Sequence, residues 1–93
     1  MHGRILRRMR DKIRRAEFVV TVHARREMNE DELSVFDIEH CFLTGQIVER
    51  QRDEVTSEWK YRVRGVNVAD TSIEVVAKLA LTGTLVVVTA YAL

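Results

Sequence analysis

The sequence predicts an α+β domain: N-terminal helices packed on a twisted antiparallel sheet. Two observations carry this. Apolar residues recur with helical spacing before Gly45 and alternate with a period of two after Gln46. The chain also ends in two apolar strand-like runs separated by Thr82-Gly83. With 93 residues, 46% of them hydrophobic, it supports one core and one domain over 1–93. Residues 1–15 read as a basic helical arm and 18–91 as the body.

The arm opens the chain. Ile5, Leu6, Met9 and Ile13 make one helical stripe, surrounded by arginines. Residues 1–15 hold seven basic groups and one acid, net +6, while the other 78 residues are net −5, so the overall +1 hides a basic arm on an acidic body. Phe18 to Val22 is β-branched and reads as a strand. His23 follows at a strand-to-helix junction, and Ala24 to about Glu30 reads as a helix. Asn29 to Glu32 is polar and ends it. Ser34 with Asp37 has the spacing of a capping box, Val35, Ile38, Cys41 and Phe42 form a stripe, and Gly45 is the expected C′ residue.

After Gln46 the period is two. Gln46 to Arg52 reads as a polar edge strand and Asp53 to Glu58 as a turn. Trp59, Tyr61 and Val63 then face one way, with Lys60, Arg62 and Arg64 facing the other. Gly65 to Asp70 reads as a loop. Ile73, Val75, Ala77, Leu79 and Leu81 alternate along a long strand. Leu85 to Tyr91 is apolar on both faces, as a central strand would be.

Composition excludes several classes. The longest wholly apolar run, Leu85 to Val88, is far short of the ~20 residues of a spanning helix, so no membrane role is expected. One cysteine makes neither an internal disulfide nor a usual zinc site. The first residues lack the apolar core of a signal peptide, and a cytoplasmic location is expected. No spacing matches a metal site or a phosphate-binding glycine loop, so neither metal nor cofactor is predicted.

Four segments form an ordered series: Val22-His23-Ala24-Arg25-Arg26-Glu27-Met28; Ser34 and Asp37-Ile38-Glu39, running into Leu43-Thr44-Gly45-Gln46-Ile47-Val48-Glu49; Trp59-Lys60-Tyr61-Arg62-Val63-Arg64-Gly65; and Val87-Val88-Thr89-Ala90-Tyr91. The series resembles the domain-of-unknown-function family 4258, over about four-fifths of the chain. Glu27 stands where many members have arginine. The resemblance implies a fold similar to the small RelE-like and MqsR-like toxins of toxin–antitoxin systems, which are metal-independent ribonucleases. It further implies RNA, including ribosome-associated mRNA, as substrate, and as partner an antitoxin of the type with a small zinc-finger domain.

Metal-free RNA cleavage needs a base for the 2′-hydroxyl proton, an acid for the leaving 5′-oxygen and cations for the phosphorane charge. His23 is the first candidate, because imidazole titrates near neutrality; a helix-entry residue bonded to backbone is the competing reading. Lys60, Arg62 and Arg64, about 7 Å apart along one strand face, suit successive phosphates. They equally suit a solvated face paired with Glu49 or Glu74. Glu49 is a candidate base, or simply an exposed glutamate. Tyr91 can donate to phosphate or stack on a base, or close the core edge. Arg4, Arg7, Arg8 and Arg14 are candidate RNA contacts if the arm stands off the body, and solvated side chains if it docks. Three functions fit: an RNA-binding toxin-family domain, a non-catalytic interaction module of the same fold, or a nucleic-acid binder acting through its arm.

Overall fold

A computed structural model describes residues 2–93. The elements run α1 (Gly3–Arg14), β1 (Phe18–Val20), α2 (Val22–Glu30), α3 (Val35–Thr44), β2 (Gln46–Arg52), β3 (Trp59–Val66), β4 (Ser72–Leu79) and β5 (Leu85–Ala92). The five strands form one sheet in the order β1-β5-β4-β3-β2. The sheet is mixed rather than wholly antiparallel: β2 to β5 are an antiparallel meander, but β1 pairs parallel with β5, Phe18 to Val20 against Leu85 to Val87. Sequence alternation reports which face a residue takes and carries no information on the direction of its neighbour. The parallel pairing therefore emerges only when the chain closes on itself.

The arm docks. Leu6, Met9 and Ile13 are buried, and Met9 and Ile13 join the core with Ile38, Phe42, Val63, Ile73, Val75, Leu85 and Val87. Arg10 adds a second tie. Its Nε donates to the Phe42 carbonyl at 2.7 Å and its Nη2 to the Gly45 carbonyl at 2.9 Å. Those carbonyls lie at the C-terminal end of α3, where helical partners run out.

Helix α2 begins two residues earlier than the composition suggests, at Val22 rather than Ala24. Thr21 is its N-cap, accepting from the Ala24 amide, which places His23 in the first helical turn rather than at a junction. The expected capping box of α3 is present: Ser34 Oγ accepts from the Asp37 amide and the Asp37 carboxylate accepts from the Ser34 amide. Both α1 and α2 end in paired 6→1 and 5→2 backbone bonds, with Ala16 (φ 56°) and Glu32 (φ 57°) in the left-handed position usually given to glycine.

Two glycines differ from expectation. Gly45 is extended (φ −94°, ψ −177°), not a left-handed C′ residue. Gly65 lies inside β3, not in a loop. Both are there for close approach. A Cβ on Gly45 would lie 2.5 Å from the Arg64 carbonyl oxygen, and one on Gly65 would lie 2.5 Å from that of Cys41. The end of α3 thus rests directly on β3. The β4–β5 turn forms as read, with Gly83 at φ 91°, but Leu81 sits in it, fully exposed, as the last member of an alternation the strand does not complete.

Candidate functional site

The core lies on the sheet face that takes Val63, Val75 and Val87, together with α1 and α3. The opposite face carries Lys60, Arg62, Arg64, Glu74, Lys78, Thr89 and Tyr91. Two irregularities in register decide this membership. Between Ile47 and Glu49 in β2 the pairing skips Val48, so Glu49 rather than Val48 lies opposite Arg62. Between Val87 and Thr89 in β5 it skips Val88, so the inward phase passes from Leu85 and Val87 to Ala90. Thr89 and Tyr91 are thereby turned outward beside Val76 and Glu74. Each bulge moves the following residues to the other face, because side chains alternate with a period of two.

Glu74 is the centre of the outer face. It is 2% exposed, yet β3 and β5 on either side supply it with donors. Its Oε1 accepts from Tyr91 Oη at 2.6 Å and from Arg62 Nη1 at 3.1 Å. Its Oε2 accepts from Arg62 Nη1 at 3.0 Å and from Arg64 Nε at 2.7 Å. Arg62 also donates through Nε to Glu49 Oε1 at 3.2 Å, and Gln51 donates to the same oxygen at 2.7 Å. The row is graded in exposure: the side chain of Arg62 is 28% exposed and that of Arg64 is 52%. Lys60 lies 3.9 Å from Asp53, and Lys78 lies 3.0 Å from Glu58.

The electrostatics follow from this packing. Burial pushes the Glu74 carboxyl up, but the bonds from Tyr91, Arg64 and Arg62 outweigh it and hold the group below its ordinary value. The bond to Glu74 raises Tyr91, and burial adds to the effect. The bond to Glu74 likewise raises Arg62. Glu74 is thus a fixed anion, with Arg62 a fixed cation and Tyr91 a neutral donor beside it.

His23 reaches the same face through Glu27. Its Nε2 lies 3.3 Å from Glu27 Oε1, an oxygen that also accepts from the Ala90 amide at 3.2 Å and from the Thr89 hydroxyl. Asp31 accepts similarly from the Ala92 amide at 2.8 Å. Helix α2 therefore closes the stretch of β5 edge that short β1 leaves unpaired, using carboxylates in place of a strand. Thr89 and Tyr91 are two residues apart on one face, about 7 Å.

Of the residues singled out by sequence, Glu49, Lys60, Arg62, Arg64 and Tyr91 share this face, and His23 is tied to its β5 edge through Glu27. Glu49 acts there as a holder of Arg62. Arg4, Arg7, Arg8 and Arg14 do not join them; they are exposed on α1, which packs against the other face, so the arm does not stand off the body. Sequence reasoning passed over Glu74, Glu27 and Thr89 as site residues. Glu74 had a visible signal, a lone carboxylate amid Ile73, Val75 and Val76 opposite a row of cations. Glu27 and Thr89 had none, since their meeting spans 62 residues. Trp59, on the core side of β3, is 38% exposed at its margin. Cys41 is fully buried, and burial pushes its thiol up to about 12, which removes it as a nucleophile.

A family model described as a domain of unknown function (DUF4258) matches residues 20–92. No curated protein and no solved structure matches the chain.

Proposed function

We propose, for a chain that belongs to the DUF4258 family, that it is an RNA-binding, metal-independent ribonuclease of the RelE-like toxin class, held in check by an antitoxin in the cytoplasm. The observation that supports this reading is the gathering of Arg62, Arg64 and Tyr91 around Glu74 on one sheet face, with His23 tied to the β5 edge of that face through Glu27. In this mechanism His23 takes the proton of a 2′-hydroxyl, whose oxygen bonds to the adjacent phosphorus. The bond from phosphorus to the 5′-oxygen breaks, and Tyr91 Oη supplies the proton to that oxygen. The products are a 2′,3′-cyclic phosphate and a 5′-hydroxyl. Arg64, the more exposed guanidinium, meets the phosphorane charge, while Glu74 and Glu49 keep Arg62 in register beside it.

The test is incubation of the purified chain with single-stranded RNA in chelator, with analysis of the product ends, alongside induced expression with and without the neighbouring gene. Cyclic phosphate ends and growth arrest relieved by the neighbour are expected. Intact RNA together with unaffected growth would refute the proposal.

A second reading, a non-catalytic interaction module, draws on one observation: each cation of the β3 row already has a carboxylate partner. It predicts no cleavage, and partner binding indifferent to changes at His23, Arg62, Arg64 and Tyr91.

A further inference from the structure

A cluster of guanidiniums that lack acidic partners lies on the other side of the molecule. Among the described residues, Arg4, Arg7 and Arg8 of α1 and Arg50 and Arg52 of β2 make no ion pair. The bulge at Val48 that sends Glu49 outward also sends Arg50 and Arg52 inward, opposite Tyr61 and Trp59. There the Arg50 guanidinium carbon lies 4.0 Å from the Trp59 ring centroid and that of Arg52 lies 5.4 Å away. Trp59 and Arg8 line one groove of about 400 Å³ between α1, the β2–β3 turn and the β4–β5 turn, with Ile5 and Leu79 as its apolar wall. The one carboxylate in that lining, Glu58, is engaged by Lys78 at 3.0 Å. Arg4 is one helical turn from Arg8 and extends the cationic line.

We infer that this groove is a binding track for single-stranded RNA, with Trp59 and the guanidinium plane of Arg50 stacking bases and Arg4, Arg7, Arg8 and Arg52 holding phosphates. The physical reason is a difference between the two faces. On the outer face a phosphate must displace Glu74 or Glu49 from its arginine. At the groove it meets unpaired guanidiniums, Arg8 in the lining and Arg50 and Arg52 over the Trp59 ring, and stacking on such a ring is worth about 1–3 kcal/mol per base and tolerates any sequence. Single strands fit better than duplex because only unstacked bases offer a face to Trp59. β2 is the edge strand that separates groove from outer face, so RNA held here passes over that edge toward Arg62. The track rests on the proposed function only for the choice of RNA; its geometry is independent of cleavage.

Trp59 is the only tryptophan, so its fluorescence reports the site directly. The experiment titrates the full chain carrying His23→Ala, which keeps RNA intact, with a short oligouridylate over a range of salt. Quenching of Trp59 and a log–log salt slope of about −2.8 are expected, from ~0.7 per phosphate contact over the four phosphate-holding arginines. Arg50→Ala/Arg52→Ala should flatten the slope by about 0.7, through Arg52, and weaken binding further through the lost stacking plane, and Arg4→Ala/Arg7→Ala/Arg8→Ala should flatten it by about 2. All five are surface positions, and unchanged melting temperatures confirm the fold of each variant. Unquenched tryptophan, a slope indifferent to both variants, or equal binding of polyglutamate would each overturn the track, the last marking the groove as a site for an acidic protein. Quenching with full slope in a chain whose wild type cleaves nothing would keep the track and refute the nuclease.

Discussion

Glu74 shows how one residue can organise a face. It is a carboxylate at the level of the sheet, stripped of water, and five donor contacts from three side chains replace its hydration. Its folded-state pKa lies below the unfolded one, so the unfolded chain binds the proton more readily and stability rises with pH across that interval. The contribution is therefore complete above the ordinary carboxylate range and is lost as pH falls through the lowered value. Glu74→Gln should lower the melting temperature at neutral pH and flatten its decline in acid, as followed by circular dichroism; parallel acid limbs for the two proteins would contradict the assignment. The catalytic groups should separate by kind. His23→Ala removes a proton-transfer group worth about 10²–10⁴ in rate and should leave RNA binding nearly intact. Arg64→Ala should cost binding as well as turnover, because a guanidinium meets phosphate in both ground and transition states. Single-turnover rates and binding isotherms on the same RNA distinguish the two.

At the scale of the element, the helix ends carry a testable strain. Ala16 and Glu32 hold left-handed positions at the ends of α1 and α2, a conformation that costs a side-chain-bearing residue roughly 1–2 kcal/mol. Ala16→Gly and Glu32→Gly should each raise stability in urea by up to about 1 kcal/mol, and a loss of stability would show that the side chain contributes more than its backbone costs. The opposite is expected at Gly45 and Gly65, where alanine must push helix α3 off β3. Ser34→Ala removes half a capping box and should cost about 1 kcal/mol. The strand pair β4–β5 holds Ile73, Val75, Ala77, Leu85 and Val87, all fully buried. Val87→Asp places an unpaired charge among them, at a cost of several kcal/mol, and should leave no cooperative unfolding transition.

Across the whole molecule, the basic arm is part of the core. Leu6, Met9 and Ile13 fill the layer above the sheet, and Arg10 finishes α3. Deleting residues 1–15 should therefore unfold the body rather than merely remove charge, which a far-ultraviolet melt would reveal; a truncated chain that melts like the parent would detach the arm from the core. The molecule thus presents two charged faces of different character. One is an open sheet face whose cations are clamped by carboxylates. The other is a groove lined by Arg8 and Trp59, with Arg50 and Arg52 over the ring and none of the three arginines in an ion pair among the described residues.

The sequence by itself determined the α+β class, the capping box at Ser34, the edge position of β2, the turn at Gly83 and the common face of Lys60, Arg62 and Arg64. Each depends on residues within a few positions of one another, where helical or strand periodicity and turn chemistry act directly. The tertiary structure alone decided the parallel pairing of β1 with β5, the contact of Gly45 with β3, and the joining of His23 to Thr89 through Glu27. It also decided that Glu49 and Tyr91 share a face with Arg62. A strict period of two places both on the opposite face. The bulges at Val48 and Val88 reverse that assignment, and a bulge exists only relative to the partner strand against which its extra residue is counted.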